Sequence, residues 1–167
     1  MSNIRIFVSH RIDIDSETVD TPVYFPVRCG AVYDEEGNSE IQGDDTGDNI
    51  SKLRMSFCEF TVQYWAWKNV DADYYGLCHY RRYLSFSDKR YKNTVFNMVR
   101  ELKLTPHEKK KYHLDDTKKI EKTVKQYDMI IPVVAKASEM SYNRAEVKTL
   151  REMWESYNGV YFEQGII

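Results

Sequence analysis

A cluster of cationic side chains follows a short apolar run in the middle of the chain. The run Tyr74–His79 (YYGLCH) is typical of a β-strand and continues directly into Tyr80, Arg81 and Arg82. Arginine forms bidentate hydrogen bonds with phosphate and carboxylate groups. Open α/β sheets bind ligands at the carboxyl ends of their strands. The pattern therefore indicates an anion site, although a structural ion pair between one arginine and an acidic loop explains it equally well.

That acidic loop has the sequence GDDTGDN at positions 43–49 and carries Asp44, Asp45, Asp48 and Asn49. Carboxylate oxygens are suitable ligands for a hard divalent cation such as Mg²⁺ or Mn²⁺. The same side chains also suit the start of the helix expected after them, where they accept hydrogen bonds from free backbone N–H groups. We favour capping and loop hydrogen bonding over a metal site, because the loop lacks the pattern of an EF-hand.

Two further side chains are candidates for chemistry. His10 follows the apolar run Ile4–Ser9 and is expected at the same sheet edge, although taken on its own it is better explained as a hydrogen-bonded loop histidine. Glu59 lies in an aromatic-rich segment and is either a catalytic base or the buried partner of an arginine, and we favour the partner role. The motifs of P-loop ATPases, dinucleotide enzymes, serine hydrolases and zinc proteases are absent.

The elements that position these residues alternate between strands and helices. Apolar runs predict strands at Ile4–Ser9, Tyr74–His79 and Met129–Ala135, with an extended, edge or irregular segment at Val23–Tyr33 because of Pro26. Amphipathic spacing predicts helices over Ser51–Val70, Thr117–Gln126 and Asn143–Tyr157, and a short one at Thr94–Leu104. A charged connector is expected at 105–119, in which Asp115 or Asp116 caps the helix that follows. This order indicates an α/β fold: a Rossmann-like open mixed sheet flanked by helices, with Ile4–Ser9 and Tyr74–His79 as neighbouring central strands.

The helix expected over Ser51–Val70 is rich in aromatic residues. Apolar side chains recur at spacings of three and four, with a second strip beside the first, so we expect most of its surface to be buried. The first strip consists of Phe57, Phe60, Tyr64 and Trp67, and the second of Cys58, Val62 and Trp65.

Composition limits the classes of function. The 167 residues suit one domain spanning 1–167, and a net charge of −2 argues against a nucleic-acid partner. No apolar run approaches the roughly 20 residues of a membrane-spanning helix, and the first residues do not form a signal peptide. We expect a cytoplasmic protein, with peripheral contact at the inner face of the membrane left open. The three cysteines have no metal-site spacing, and we expect them to be buried thiols.

Three stretches together resemble a known family: IRIFVSH at 4–10, GDDTGDNIS…FCEFTVQYWAWKN at 43–69 and DADYYGLCHYRRYL at 71–84, with MIIP at 129–132 as a fourth match. The combination resembles a bacterial family long described as a domain of unknown function. Its members occur in capsular, exopolysaccharide and lipopolysaccharide biosynthesis and are regarded as glycosyltransferases. The resemblance implies a GT-A-type transferase that uses a nucleotide-diphosphate sugar and a glycan or lipid-linked glycan acceptor.

The resemblance also implies roles for the candidate residues. In many GT-A enzymes a strand like Tyr74–His79 ends in Asp-x-Asp, which holds a metal ion on the donor; here His79-Tyr80-Arg81 occupies that place. Either Arg81 and Arg82 neutralise the diphosphate directly, or the acidic loop supplies the ligands of Mg²⁺ or Mn²⁺. The expected donor-binding residues are His10, Asp44, Asp45, Asp48, Asn49, His79, Tyr80, Arg81 and Arg82, all converging on one cleft. The catalytic residue is not assigned, and the candidates are Asp45, Glu59 and His79.

Similar proteins continue beyond the position of Ile167. We therefore expect the chain to be truncated at its carboxyl end and catalytically incomplete, since transfer requires an acceptor positioned against the donor. The apolar, strand-like segment Val160–Ile167 invites formation of a homodimer. The alternative function is a non-catalytic module that kept the fold and binds a nucleotide sugar, a glycan or a partner protein.

Overall fold

The computed structural model describes residues 2–14, 16–37, 40–91, 98–132, 141–143 and 148–149. The chain divides into two compact units. The first comprises Met1–Asp88 and Lys103–Ile130, and the second comprises Lys89–Leu102 and Ile131–Ile167. Every site residue expected from the sequence lies in the first unit.

The first unit contains a four-stranded parallel sheet with the strand order β3-β2-β1-β4. Its strands are β1 (Ile4–His10), β2 (Tyr24–Arg28), β3 (Gln42–Gly43) and β4 (Tyr74–His79). The expected α/β fold is confirmed. Among the described residues the pairing within this sheet is parallel throughout, so the carboxyl ends of its strands meet at one edge.

The two most apolar strands are neighbours, as predicted. In the pairing of β1 with β4, Ile4 lies opposite Tyr74 and Ser9 lies opposite His79. β4 is an edge strand in the described part of the chain, so the expectation that it is central is wrong. The register places the end of β4 beside the end of β1, where His10 is also paired with Arg28 of β2.

Pro26 is accommodated inside β2, although the sequence suggested an edge or irregular segment. The Ile6 N–H donates to the Val23 carbonyl, and the Cys29 N–H donates to the His10 carbonyl. Along a parallel strand, successive residues direct their N–H and C=O groups alternately toward one neighbouring strand and toward the other. Because Val23 and Cys29 bond to β1, the nitrogen of Pro26 faces β3. β3 begins opposite Val27, and Pro26 therefore removes no ladder hydrogen bond.

The single helix expected over Ser51–Val70 is interrupted. A 3₁₀ turn at Ser51–Leu53 leads into α1 (Arg54–Phe57), and α2 (Phe60–Asn69) follows after a break. At the break Cys58 has a φ of 47°, which no α-helical residue adopts. Cys58 is exposed, whereas Cys29 is buried, so the expectation of three buried thiols is wrong for Cys58.

The buried face of α2 also differs from the aromatic strip that the spacing favoured. Val62, Trp65 and Ala66 pack against Phe7 and Val27 of the sheet. By contrast, 47% of Phe57, 62% of Phe60 and 64% of Trp67 is exposed. The expectation that most of the surface of this helix is buried is therefore wrong: the second strip is buried at Val62 and Trp65, and the first strip is exposed at Phe57, Phe60 and Trp67.

The remaining part of the first unit contains α3 (Pro106–Lys111) and α4 (Thr117–Val124). The expected charged connector at 105–119 is therefore partly helical. Asp116 caps α4 as predicted, since its Oδ1 accepts a hydrogen bond of 3.0 Å from the Lys119 N–H. Ile120 is fully buried. Residues 129–132 do not form the strand that the sequence predicted, and 98–104 are not helical.

In the second unit, the described residues include an antiparallel pair of short strands, β5 (Ser141–Asn143) and β6 (Lys148–Thr149). The helix predicted from Asn143 is therefore wrong at these positions. The rest of that helix, residues 133–135 and the segment Val160–Ile167, on which the dimer expectation rests, lie outside the described residues. None of the described helices combines the length and the apolar character needed to cross a bilayer.

Two tryptophans of α2 test which face is buried. Only 4% of Trp65 is exposed, against 64% of Trp67. We expect Trp65→Ala to lower the free energy of unfolding by about 3–5 kcal/mol, because it leaves a cavity against the sheet. Trp67→Ala, the matched control in the same helix, should change it by less than about 1 kcal/mol. Urea unfolding of both variants measures the difference, and equal losses would contradict the assigned face.

Candidate functional site

Asp44 lies directly after β3 and its carboxylate is fully buried. It accepts hydrogen bonds of 2.9 Å from each of the Gly30 and Ala31 N–H groups. It also accepts bonds of 2.6 Å from the Ser51 hydroxyl and 2.5 Å from the Thr61 hydroxyl. Four donors from three separate segments converge on this one carboxylate, so Asp44 holds the fold at the carboxyl edge of the sheet.

The rest of the acidic loop is docked on α2. The Asp48 N–H donates to Oδ1 of Asn69, and the Tyr64 hydroxyl donates to Oδ1 of Asp48 over 3.1 Å. The indole N–H of Trp65 donates to the Thr46 hydroxyl over 2.9 Å. These contacts occupy the loop with α2 and support the interpretation of loop hydrogen bonding.

Asn49 and Asp45 complete the loop. The Asn49 side chain donates to the carbonyls of Asp45 and Gly47 and accepts from the Ser51 N–H, at the start of the 3₁₀ turn. Asn49 therefore stabilises the loop and the start of the turn, while the Asp45 side chain is exposed.

The three aspartates of this loop do not fit a common divalent cation. The oxygens of Asp44 are used by four donors, and Oδ2 of Asp48 lies 4.0 Å from Nζ of Lys68. Across the described ranges, no three His, Cys, Asp or Glu side chains are grouped so that they could hold a metal ion. A hard cation needs several oxygen ligands directed at one point, and this loop directs them apart.

His10 ends β1 and is buried. Its Nδ1 lies 2.7 Å from the Ser16 hydroxyl and its Nε2 lies 2.6 Å from the Thr18 hydroxyl. Burial, and secondarily the nearby His79, lower the pKa of the His10 imidazole. The ring is therefore held in a fixed orientation in its neutral form.

A cleft of about 590 Å³ opens beside His10. Apolar side chains and charged groups share its lining, which includes Ile12, Ile14, Ile41, Ser16 and Arg28. The lining also includes the acidic residues Glu17 and Glu40, and the volume of the cleft lies within the range of small-molecule sites in proteins. The cleft lies beyond the ends of β1 and β2, where parallel α/β sheets bind ligands.

The segment after β4 stacks against this edge. The rings of His79 and Tyr80 have centroids 4.3 Å apart, and the rings of His10 and Tyr80 have centroids 6.4 Å apart. The Arg82 N–H donates to the His79 carbonyl over 2.8 Å and closes a turn. Tyr80 therefore links His10 with the cationic segment.

Arg81 and Arg82 are exposed. The guanidinium of Arg81 lies 5.0 Å from the centroid of the Tyr80 ring, a cation–π arrangement. Among the ion pairs of the described residues, none includes Arg81 or Arg82. The ion pair with the acidic loop, which the sequence left open, is not formed.

Glu59 has a histidine rather than an arginine as its charged neighbour. Its Oε1 lies 3.8 Å from Nε2 of His79. Burial lowers the pKa of the His79 imidazole, whereas the nearby carboxylate of Glu59 raises it. The positive charges of Arg82, Arg81 and Arg11 lower this pKa further. Glu59 therefore belongs to the same cluster as His79 and the two arginines.

The sequence reasoning missed Arg54, the first residue of α1. A Cβ atom on Gly30 would lie 2.1 Å from Cδ of Arg54, so the arginine crosses the backbone directly above this glycine. Gly30 has a φ of 71°, a conformation that side chains disfavour. In the sequence, Gly30 follows two residues after the end of β2, and a glycine at such a position indicates that another group packs closely against the backbone.

The sequence predicted that His10, the acidic loop and the segment 79–82 share one cleft. The structure brings together His10 and the segment 79–82. His10, His79, Tyr80 and Glu59 are neighbours at the carboxyl edge, with Arg81 and Arg82 beside them. Asp44 lies at the same edge, but its carboxylate is directed inward. Within the described chain, the side-chain hydrogen bonds of the loop at 45–49 run to the loop itself, to Gln42 of β3, to the start of the 3₁₀ turn and to α2, and none runs to the histidine cluster.

Comparisons with known proteins identify the family of the chain and a solved structure with a similar fold. Residues 5–159 match the family described as "Domain of unknown function (DUF4422)". Among solved structures, the chain is similar to the apo structure of WbbM, a bifunctional glycosyltransferase, with a TM-score of 0.62 and 33% sequence identity. The similarity covers 67% of this chain and 20% of the WbbM chain, so it spans about one fifth of that protein. No curated protein matches significantly.

The four hydrogen bonds to the Asp44 carboxylate predict that the folded state depends on this side chain. Asp44→Ala removes the acceptor of four buried donors, and we expect the free energy of unfolding to fall by about 3–5 kcal/mol. Asp45→Ala, one residue further along in the same loop, is the control and should change it by less than about 0.5 kcal/mol, because the side chain is exposed. Denaturant unfolding followed by circular dichroism measures both. Comparable stability of Asp44→Ala and Asp45→Ala would contradict the role of Asp44.

The histidines at the edge predict a pH dependence of stability. The pKa values of His10 and His79 are below the ordinary 6.5 in the folded chain, so below about pH 6.5 the unfolded chain binds more protons. Stability should therefore fall between about pH 7.5 and about pH 5.5. His10→Gln should reduce that slope, whereas His107→Gln, in exposed α3, should leave it unchanged. Thermal unfolding at several pH values measures the slopes, and an unchanged slope in His10→Gln would refute the expectation.

Proposed function

Because this chain belongs to the family described as "Domain of unknown function (DUF4422)" and has a glycosyltransferase-like fold, we propose that its first unit binds the nucleoside-diphosphate sugar of a glycosyltransferase. The observation that carries the proposal is the pair of exposed arginines, without ion-pair partners in the described chain, beside a cleft at the carboxyl edge of a parallel sheet. A diphosphate is an anion that two guanidinium groups bind through paired hydrogen bonds.

The diphosphate is assigned to Arg81 and Arg82. Both lie on the turn that follows β4, and a guanidinium offers parallel N–H groups that match phosphate oxygens. In glycosyl transfer, negative charge builds up on the departing diphosphate, and fixed cations stabilise this charge as it forms. The aspartates of the acidic loop do not fit a cation, so no step is assigned to a metal ion.

The nucleoside is assigned to the cleft beside His10. Ile12, Ile14 and Ile41 offer an apolar wall for a base. Ser16 and Arg28 also line the cleft, where Ser16 bonds to His10 and Arg28 is paired with Asp34. The neutral, buried ring of His10 connects this cleft to Tyr80. Tyr80 directly precedes the two arginines, so we place the base end of an extended donor in the cleft and its diphosphate end beside Arg81 and Arg82.

The acceptor is proposed from the family resemblance, not from residues of the site. It is a glycan or a lipid-linked glycan of a bacterial surface polysaccharide, presented at the inner face of the membrane. This chain spans only about a fifth of WbbM, so the donor half is the part proposed here. A module that binds the donor without transferring the sugar is the alternative, and the assay of turnover described below separates the two.

The first test is a thermal-shift panel with UDP-glucose, UDP-galactose, UDP-N-acetylglucosamine, GDP-mannose and dTDP-rhamnose. We expect at least one donor to raise the melting temperature, since a ligand that binds only the folded chain stabilises it. EDTA should leave the shift nearly unchanged. Failure of all five donors would contradict the proposed function.

The second test asks whether Arg81 and Arg82 bind the diphosphate. We expect Arg81→Ala and Arg82→Ala each to weaken binding of UDP, GDP or dTDP by about 1.5–3 kcal/mol, which is roughly 10- to 150-fold. Arg5→Ala is the matched control, because Arg5 lies near the amino end of β1 and bonds to Asn3 and the Pro22 carbonyl. Isothermal titration calorimetry measures the affinities. Normal binding by both arginine variants, with loss of binding in EDTA, would instead indicate a metal-dependent site.

A further inference from the structure

Of the three candidate catalytic side chains, the geometry separates Glu59 and His79 from Asp45. Asp45 belongs to the loop docked on α2, and its side chain is exposed there. Glu59 and His79 lie 3.8 Å apart, between Oε1 and Nε2, next to the arginines assigned to the diphosphate. The question is which of these two groups is able to accept a proton.

The hydrogen bonds of His79 fix its tautomer. The backbone N–H of Arg81 donates to Nδ1 of His79 over 3.2 Å, so the lone pair of Nδ1 is used. The proton of the neutral ring is therefore on Nε2, the nitrogen that faces Glu59. In this state His79 has no free lone pair for a substrate proton, but it has an N–H group directed toward a carboxylate.

The position of Glu59 is set by an unusual backbone. Cys58, the residue before it, has a φ of 47° and a ψ of −129°, which a residue with a side chain adopts only at an energetic cost. The carbonyl of Cys58 accepts hydrogen bonds from the Thr61 hydroxyl over 3.1 Å and from Sγ of Cys29 over 3.2 Å. These contacts hold the break, and the break places Glu59 at the sheet edge instead of inside a continuous helix.

We infer that Glu59 is the general base of the transfer reaction and that His79 is its positioning residue, an inference that rests on the proposed function. The Glu59 side chain is 40% exposed, so a hydroxyl group is able to reach it. Nε2 of His79 lies 3.8 Å from Oε1 of Glu59, close enough to attract the carboxylate but beyond hydrogen-bond distance, so the oxygens of Glu59 are left for a substrate hydroxyl.

The reaction step follows from this assignment. The acceptor hydroxyl oxygen forms a bond to the anomeric carbon, and its proton passes to the Glu59 carboxylate. The bond between the anomeric carbon and the phosphate oxygen breaks, and the nucleoside diphosphate leaves with the electron pair, facing Arg81 and Arg82. A single displacement with a base on the acceptor side inverts the anomeric configuration.

The tautomer and the titration of His79 test the geometry without any substrate. Charged or titratable groups reach this ring from three elements: Glu59 before α2, His10 and Arg11 at the end of β1, and Arg81 and Arg82 beside it. Long-range ¹H–¹⁵N NMR of the full chain should show the proton on Nε2. In Glu59→Gln the pKa of His79 should fall, because Glu59 raises it. Glu36→Gln, at an exposed position, is the control. A proton on Nδ1, or an unchanged His79 titration, would overturn the inference.

Measurements of turnover test the role of Glu59 as the general base. Release of UDP, GDP or dTDP from the five donors is followed with methyl glycosides as acceptors, and the anomeric configuration of the product is read by NMR. We expect Glu59→Gln to lower kcat about 100- to 10,000-fold with donor binding intact. Glu59→Asp should recover part of the rate. His79→Gln should lower kcat about 10-fold and shift the pH profile of kcat, while leaving the donor KM within about 3-fold.

The outcomes separate this inference from the proposed function. A retained configuration in the product, or a kcat of Glu59→Gln within about 3-fold of the unaltered chain, would each overturn the role of Glu59. If the unaltered chain binds a donor without turnover, as a catalytically incomplete chain would, the tautomer and the titration of His79 decide the inference. In those cases the donor-binding function stands. Failure of all five donors to bind would remove the proposed function, and the inference with it.

Discussion

The carboxylate of Asp44 is the interaction on which the carboxyl edge of the sheet depends. A buried charge is tolerated only where donors replace the water it has lost, and this one has four. Those donors come from the turn after β2, the 3₁₀ turn and α2, so these three segments are fixed relative to one another. Every side chain of the candidate site is attached to one of these segments or to a strand beside them.

The use of acidic groups inside the fold explains how a chain with a net charge of −2 presents a cationic edge. Asp44 is directed inward, Asp48 bonds to α2, and Asp34 forms an ion pair with Arg28. Arg81 and Arg82 are exposed at this edge, and none of the ion pairs among the described residues includes them. Local potential at a site depends on which charges are already paired, and the total charge is a poor guide to it.

The break between α1 and α2 connects the fold to the proposed chemistry. A continuous helix would have buried a different set of side chains. Glu59 would then have been a residue inside that helix instead of a residue in the break. With the left-handed residue Cys58, the chain presents Thr61 and Trp65 to the core and leaves Phe60 and Trp67 exposed. Strained backbone of this kind persists only where surrounding contacts hold it, and here the Thr61 hydroxyl bonds both to Asp44 and to the carbonyl of Cys58.

The sequence by itself determined the α/β class, the strands β1 and β4 as neighbours, the cap at Asp116 and the cationic segment after β4. These features follow from local periodicity and from residue types at strand ends, which short segments express directly. The direction of each loop carboxylate, the break at Cys58, the buried face of α2 and the approach of Arg54 to Gly30 were decided only by the tertiary structure. They depend on which donors and surfaces arrive from distant parts of the chain, because a buried polar group takes the partner that packing brings to it.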